Sequence, residues 1–146
     1  YDVPHQHDHV LEHVVVTKYV SFHLQDTSRG YTARINFGKA EPGEELSRIS
    51  LFVVVTSNSL VNILVQGEDL YSQEGGVLPV ESFSVETSSG NVIQLDGSRQ
   101  AVCLTYAEKN GFNKKVKILL VFYGKLPEVI EAGTYSGVWY IIVEAV

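Results

Sequence analysis

Roughly nine short apolar stretches recur at about 8 to 15 residue spacing between turn signals, and no segment carries the 3.6-residue period of an amphipathic helix. A chain with that rhythm has few ways to bury its apolar surface. Strands must stack as two facing sheets or close into a barrel. The reading is an all-β, immunoglobulin-like or jelly-roll-like antiparallel sandwich of about nine strands. The 146 residues suit a single domain with its own core. Plentiful Val, Tyr and Phe and an absence of Met fit pleated, half-buried surfaces.

The stretches are placed by their punctuation. Residues 31–37 alternate and end at Gly38, and Glu41-Pro42-Gly43-Glu44 reads as a turn. Residues 49–56 and 60–66 are strands separated by Ser57-Asn58-Ser59. Residues 77–86 read as one strand whose start Pro79 confines to an edge or a bulge. A strand at 91–95 precedes an Asp96-Gly97 turn, and 101–107 and 116–123 flank Asn110-Gly111, a strong hairpin signal. The runs at 52–55 and 118–122 are apolar on both faces, which predicts central strands covered on each side. A last strand, 135–146, reaches the end of the chain.

The N-terminal region divides in two. Residues 1–13 are polar, rich in histidine and broken by Pro4, and read as an extended arm; residues 14–146 read as the sandwich domain. Val14, Val16, Val20, Phe22 and Leu24 then fall on one face of an alternating segment, with Lys18 as the one dissonant residue. Counted from Val10, this extended stretch covers about 15 residues, or about 50 Å, against a usual strand of five or six. That length predicts one role inside the domain and another beyond it. The simpler alternative is that residues 14–24 are the first strand of a self-contained sandwich.

Reactive chemistry is sparse. His5, His7 and His9 share one side of an extended chain, about 6.6 Å apart, so two imidazoles there can share a divalent transition metal; a mobile polar arm is the plainer reading. Cys103 sits mid-strand between Val102 and Leu104 and reads as a small buried hydrophobe. Asp26, Glu44, Glu45, Glu68, Asp69 and Asp96 are scattered turn residues, without the dense alternation of a calcium loop. No phosphate-cradling glycine loop, nucleophile elbow or Cys-x-x-Cys pair is present. These residues predict no enzyme and no required cofactor, with weak metal binding on the histidine arm or Ca²⁺ at loop carboxylates as side possibilities.

Charge and hydropathy narrow the partners. A net charge of −6 and a pI near 5.3 argue against nucleic acid, and Lys114, Lys115 and Lys117, beside an Asn-Gly turn, read as a solvated hairpin flank. No run approaches the ~18 apolar residues of a membrane span. The chain starts at Tyr1 rather than Met, which gives the expectation of a processed, exported protein.

Two stretches resemble known families. Ala132-Gly133-Thr134-Tyr135-Ser136-Gly137-Val138, followed by apolar residues to the terminus, looks like the closing strand of chaperone–usher pilins and spore-coat-U-like subunits. Gly133 lies fourteenth from the C-terminus, as glycine does in many such pilins, although Ala145 stands where they carry Tyr or Phe. Residues 53–85 resemble a pattern in exported bacterial and archaeal surface sandwiches. The resemblance implies a closing strand through Gly133, Tyr135, Val138, Tyr140 and Ile142. It also implies subunits that lack one strand and receive it from a neighbour by β-augmentation.

In that arrangement Val10, Val14, Val16, Val20, Phe22 and Leu24 are the donor row. Burying four such side chains contributes about 6–10 kcal/mol before the cost of ordering the arm. Head-to-tail donation does not close, so the partner is another copy of the same chain and the product a filament at the cell surface. The alternative function is a monomeric secreted binding module of carbohydrate or adhesin type, using exposed aromatics among Tyr31, Phe37, Tyr71, Trp139 and Tyr140, of which Trp139, in a closing apolar strand, reads rather as core.

Overall fold

A computed structural model describes residues 20–24, 35–57, 59–106 and 114–146. Ten strands are present among them: β1 (Val20–Leu24), β2 (Ile49–Ser57), β3 (Leu60–Gln66), β4 (Leu70–Tyr71), β5 (Val77–Leu78), β6 (Phe83–Thr87), β7 (Val92–Gln94), β8 (Arg99–Tyr106), β9 (Lys114–Gly124) and β10 (Tyr140–Ala145). The only helical element among the described residues is a 3-10 turn, Val80–Ser82. A five-stranded sheet in the order β1-β2-β9-β6-β7 faces a three-stranded sheet β10-β3-β8, and β4 pairs with β5 in a small hairpin. Every pairing is antiparallel. The protein is an all-β sandwich.

The period of two in the sequence places the core. Leu51, Val53 and Val55 of β2, Ile118, Leu120 and Phe122 of β9, and Phe83 and Val85 of β6 point inward from the large sheet. Val61, Ile63 and Val65 of β3 and Val143 and Ala145 of β10 meet them from the small one. A bulge between Ile63 and Leu64 in the β3–β8 ladder skips Val102, so Val102 is buried and its neighbour Cys103 half-buried on the same side. Gly124 ends β9 where no side chain fits: a Cβ there would lie 2.7 Å from Phe83 Cδ1 and 2.8 Å from the Ser82 carbonyl oxygen.

Four expectations need revision. Residues 77–86 are not one strand: Pro79 ends β5 and caps the 3-10 turn, and β6 begins only at Phe83. The segments flanking Asn110-Gly111 are not a hairpin, because β8 belongs to the small sheet and β9 to the large one. The chain crosses from one layer to the other there, because β8 gains more by pairing with β3, and β9 by lying between β2 and β6, than either gains from the local turn. The third concerns β2 and β9, which are central as expected but fully buried on one face only. On the outer face Phe52, Val54, Leu119 and Val121 are half-buried, and the described residues provide no third layer over them. Instead, cations lie across the rings: Lys117 Nζ is 4.2 Å from the Phe52 centroid, and the Arg48 guanidinium 4.3 Å from that of Tyr123. Residues 35–37 are irregular rather than strand.

Candidate functional site: the seam beside the first strand

The first strand lies at the margin of the large sheet. Its register runs from Val20 opposite Ser57 to Leu24 opposite Val53, so it covers only the second half of the nine-residue β2. It also comes within 8 Å, Cα to Cα, of β10, the margin of the small sheet. β1 therefore fills the seam at which the two layers meet. The inward residues beside that seam are Val53 and Val55 on β2 and Val143 and Ala145 on β10, every one buried.

The direction of β1 fixes what precedes it. Val20 stands opposite Ser57, and Ser57 is the last residue of β2. β10 ends at the same end of the sandwich, where the Val146 amide donates to the Leu60 carbonyl. Val10, Val14 and Val16, with His5, His7 and His9, lie outside the described residues. Phe22 and Leu24 belong to β1, opposite Val55 and Val53.

The closing strand is shorter than expected. Only Tyr140–Ala145 pairs with β3, and residues 133–139 are a loop pinned at Ser136, which exchanges backbone hydrogen bonds with Tyr71 at 3.0 Å each way. Gly133 in that loop packs close to Ser72 and Glu74. The Tyr135 hydroxyl donates to the Glu131 carbonyl (2.6 Å) and lies against Gly76, where a side chain would collide with it. Val138 and Tyr140 point to solvent. Ile142, opposite Leu64, is buried on the outer face, outside the main core.

The aromatics proposed for ligand binding divide sharply. Trp139 is packed against Phe83 (centroids 4.9 Å, edge-to-face), Phe37 and Phe122 (6.0 Å each), and its Nε1–H donates to the Glu68 carbonyl (2.8 Å). Phe37 also packs on Phe83, at 5.1 Å. Tyr71 and Tyr140 are exposed, and Tyr31 lies outside the described residues.

Several ionisable groups are occupied locally. Asp96 accepts from the Ser98 hydroxyl and amide; these bonds, the hydroxyl's first, hold its carboxyl below the usual range. They close the tight turn at Gly97, whose φ of +88° suits glycine. Asp69 accepts from the Val80 amide at 2.8 Å, and Glu44 from that of Glu41 at 2.7 Å. Among the described residues no three His, Cys, Asp or Glu side chains gather as a metal site, and no helix is long and apolar enough to cross a membrane. Burial pushes the Cys103 thiol up, away from the reactive thiolate.

The seam itself was not among the sequence expectations. Its walls were visible only as ordinary alternation in β2 and β10, and nothing local says that those two strands become neighbours of β1. Compared with known proteins, the chain matches no family model and no curated relative.

Proposed function

We propose that this protein is a structural subunit of an extracellular filament or surface assembly, joined by its N-terminal strand. In a single chain Val20–Leu24 closes the chain's own seam; in the polymer the same strand closes the seam of a neighbouring copy. The pairing is identical in both states, so exchange needs no new interface. The row at Val10, Val14 and Val16 travels with it, and the sequence from about 10 to 24 is the donated segment.

The observation that carries this reading is the place of β1 at the margin of the large sheet, beside β10 at the margin of the small one. In the sequence an alternating apolar row, Val10, Val14 and Val16, precedes Val20. The connection also allows exchange. Residues 25–36 separate β1 from Phe37, whose carbonyl accepts from the Ser47 amide. Twelve residues reach about 40 Å when extended, enough to cross to an adjacent domain.

The alternative, a monomeric binding module, rests on Tyr71 and Tyr140 alone among the described aromatics, since Trp139 and Phe37 are used for packing. A carboxylate-based hydrolase gains nothing from the turn residues, whose described members are scattered and partly used as caps.

Cross-strand cysteines test the proposal directly. Ser21 and Thr56 are Cα partners, so Ser21→Cys with Thr56→Cys, in a Cys103→Ser background, gives a bridgeable pair. Exchange predicts a ladder of disulfide-linked oligomers on a non-reducing gel, collapsing on reduction. Monomers alone, at every concentration at which the protein is assembled, would sink the proposal.

A further inference from the structure

Seven large apolar side chains are well exposed among the described residues, and four of them gather at one place: Tyr71 (56%), Val77 (45%), Val138 (61%) and Tyr140 (49%). Their common direction follows from the backbone. Tyr71 is the cross-strand partner of both Val77 and Ser136. Leu70, Leu78 and Trp139 turn to the core, so their neighbours Tyr71, Val77, Val138 and Tyr140 turn away from it. The result is an outward apolar patch running from the β4–β5 hairpin along the loop into β10. Clustered exposure of this kind marks a contact surface rather than scattered surface residues.

Charge identifies the partner. Residues 67–79 and 126–146, which build the patch and its surroundings, contain no lysine, arginine or histidine. Glu68, Glu74 and Glu131 are exposed beside it. The complementary surface is on the molecule itself. The outer face of the large sheet offers half-buried Phe52, Val54, Leu119 and Val121, with Lys117 over the Phe52 ring and Arg48, itself 3.4 Å from Glu86, over that of Tyr123, and Lys114 and Lys115 precede Lys117 in the same strand.

We propose that the acidic-rimmed patch Tyr71–Val77–Val138–Tyr140 of one copy docks on the Lys117-bearing outer face of the large sheet of a second copy. Apolar area meets apolar area, and the glutamates of one rim meet the cations of the other. The two surfaces differ, so the contact is heterologous and propagates instead of closing a dimer. It engages neither the seam nor β1, and goes beyond strand exchange: it orders copies side against face.

The test uses the full chain with β1 locked by the oxidised Ser21→Cys/Thr56→Cys bridge, purified as monomer, so that strand exchange cannot contribute. If that lock forms only between chains, the test uses the monomeric fraction of the unmodified protein. Sedimentation velocity at about 50 mM and about 500 mM salt reads self-association, and Trp139 fluorescence confirms the fold. Association weakens with salt. Val138→Ser with Tyr71→Ser raises the dissociation constant about tenfold or more. Lys117→Glu weakens it severalfold, and adding Glu74→Lys to the same chain restores it to within about threefold. A locked chain that stays monomeric throughout overturns the inference, as does a charge reversal that the second reversal does not rescue. Binding of a neutral polysaccharide that Tyr71→Ala abolishes, with self-association untouched, overturns it in favour of a ligand platform.

Discussion

Replacing Phe83 by alanine asks whether the two sheets are closed around one aromatic hub. Phe83 has no exposed surface and lies between Phe37 at 5.1 Å and Trp139 at 4.9 Å, with Gly124 against its ring edge. Its loss removes the transfer free energy of the ring and leaves a cavity walled by strands that cannot collapse onto it, at a cost of about 3–5 kcal/mol. A chain of 146 residues has a total stability of about 7–20 kcal/mol, so this is a large fraction. It corresponds to a fall in Tm of about 8–15 °C. Trp139 is the only tryptophan and sits edge-on to the missing ring, which makes its fluorescence a local and global probe at once. Denaturant unfolding followed at Trp139 gives the free-energy difference, and far-ultraviolet circular dichroism gives an independent transition. Phe52→Ala is the control, because Phe52 is half-buried on the outer face beneath Lys117 and its loss opens no internal cavity. A Phe83→Ala change costing under about 1 kcal/mol, or less than Phe52→Ala, refutes the inward placement of β6.

Two further outcomes follow from local packing. Gly124→Ala forces a Cβ against the Ser82 carbonyl and the Phe83 ring, and the backbone side of that clash cannot rotate away. It lowers stability by about 1–3 kcal/mol in the same unfolding assay, and an unchanged midpoint contradicts the close approach of β6 to β9. Cys103, whose thiol burial pushes above its ordinary range, reacts with an aromatic disulfide reagent at least about tenfold more slowly in the native protein than in denaturant; equal rates contradict its packed position.

How much of this was legible in the residues depends on range. Strands β2 and β3 were readable nearly to the residue, because inward Val53, Val55, Val61, Ile63 and Val65 alternate strictly with half-buried neighbours. Trp139 was assigned to the core from its apolar surroundings, and its ring contacts and indole hydrogen bond agree. Long-range choices were not legible. Asn110-Gly111 advertises a hairpin, yet β8 and β9 are placed in different sheets by partners more than thirty residues away, β3 for the one and β2 for the other. The exposed patch was half visible: Tyr71 and Tyr140 were noted singly, but only the pairing of Tyr71 with Val77 and Ser136 brings them onto one surface.

The two lateral seams of the sandwich differ in a way that bears on assembly. At one, β7 runs into β8 through the four residues 95–98. That corner is held by the Leu95 amide on the Phe83 carbonyl, the Asp96–Ser98 bonds, and the Gln100 amide on the Gln94 carbonyl. A strand fastened by so short a link cannot leave without breaking the corner. At the other seam, β1 reaches its place on β2 across residues 25–48 and is joined there along five residues. Separating β1 exposes Val53 and Val55 at an open sheet edge, which is costly enough that the slot must be refilled and uncommitted enough that a second copy can refill it. The exchange proposed above would therefore use one side of this molecule only, and a polymer built on it would have a direction.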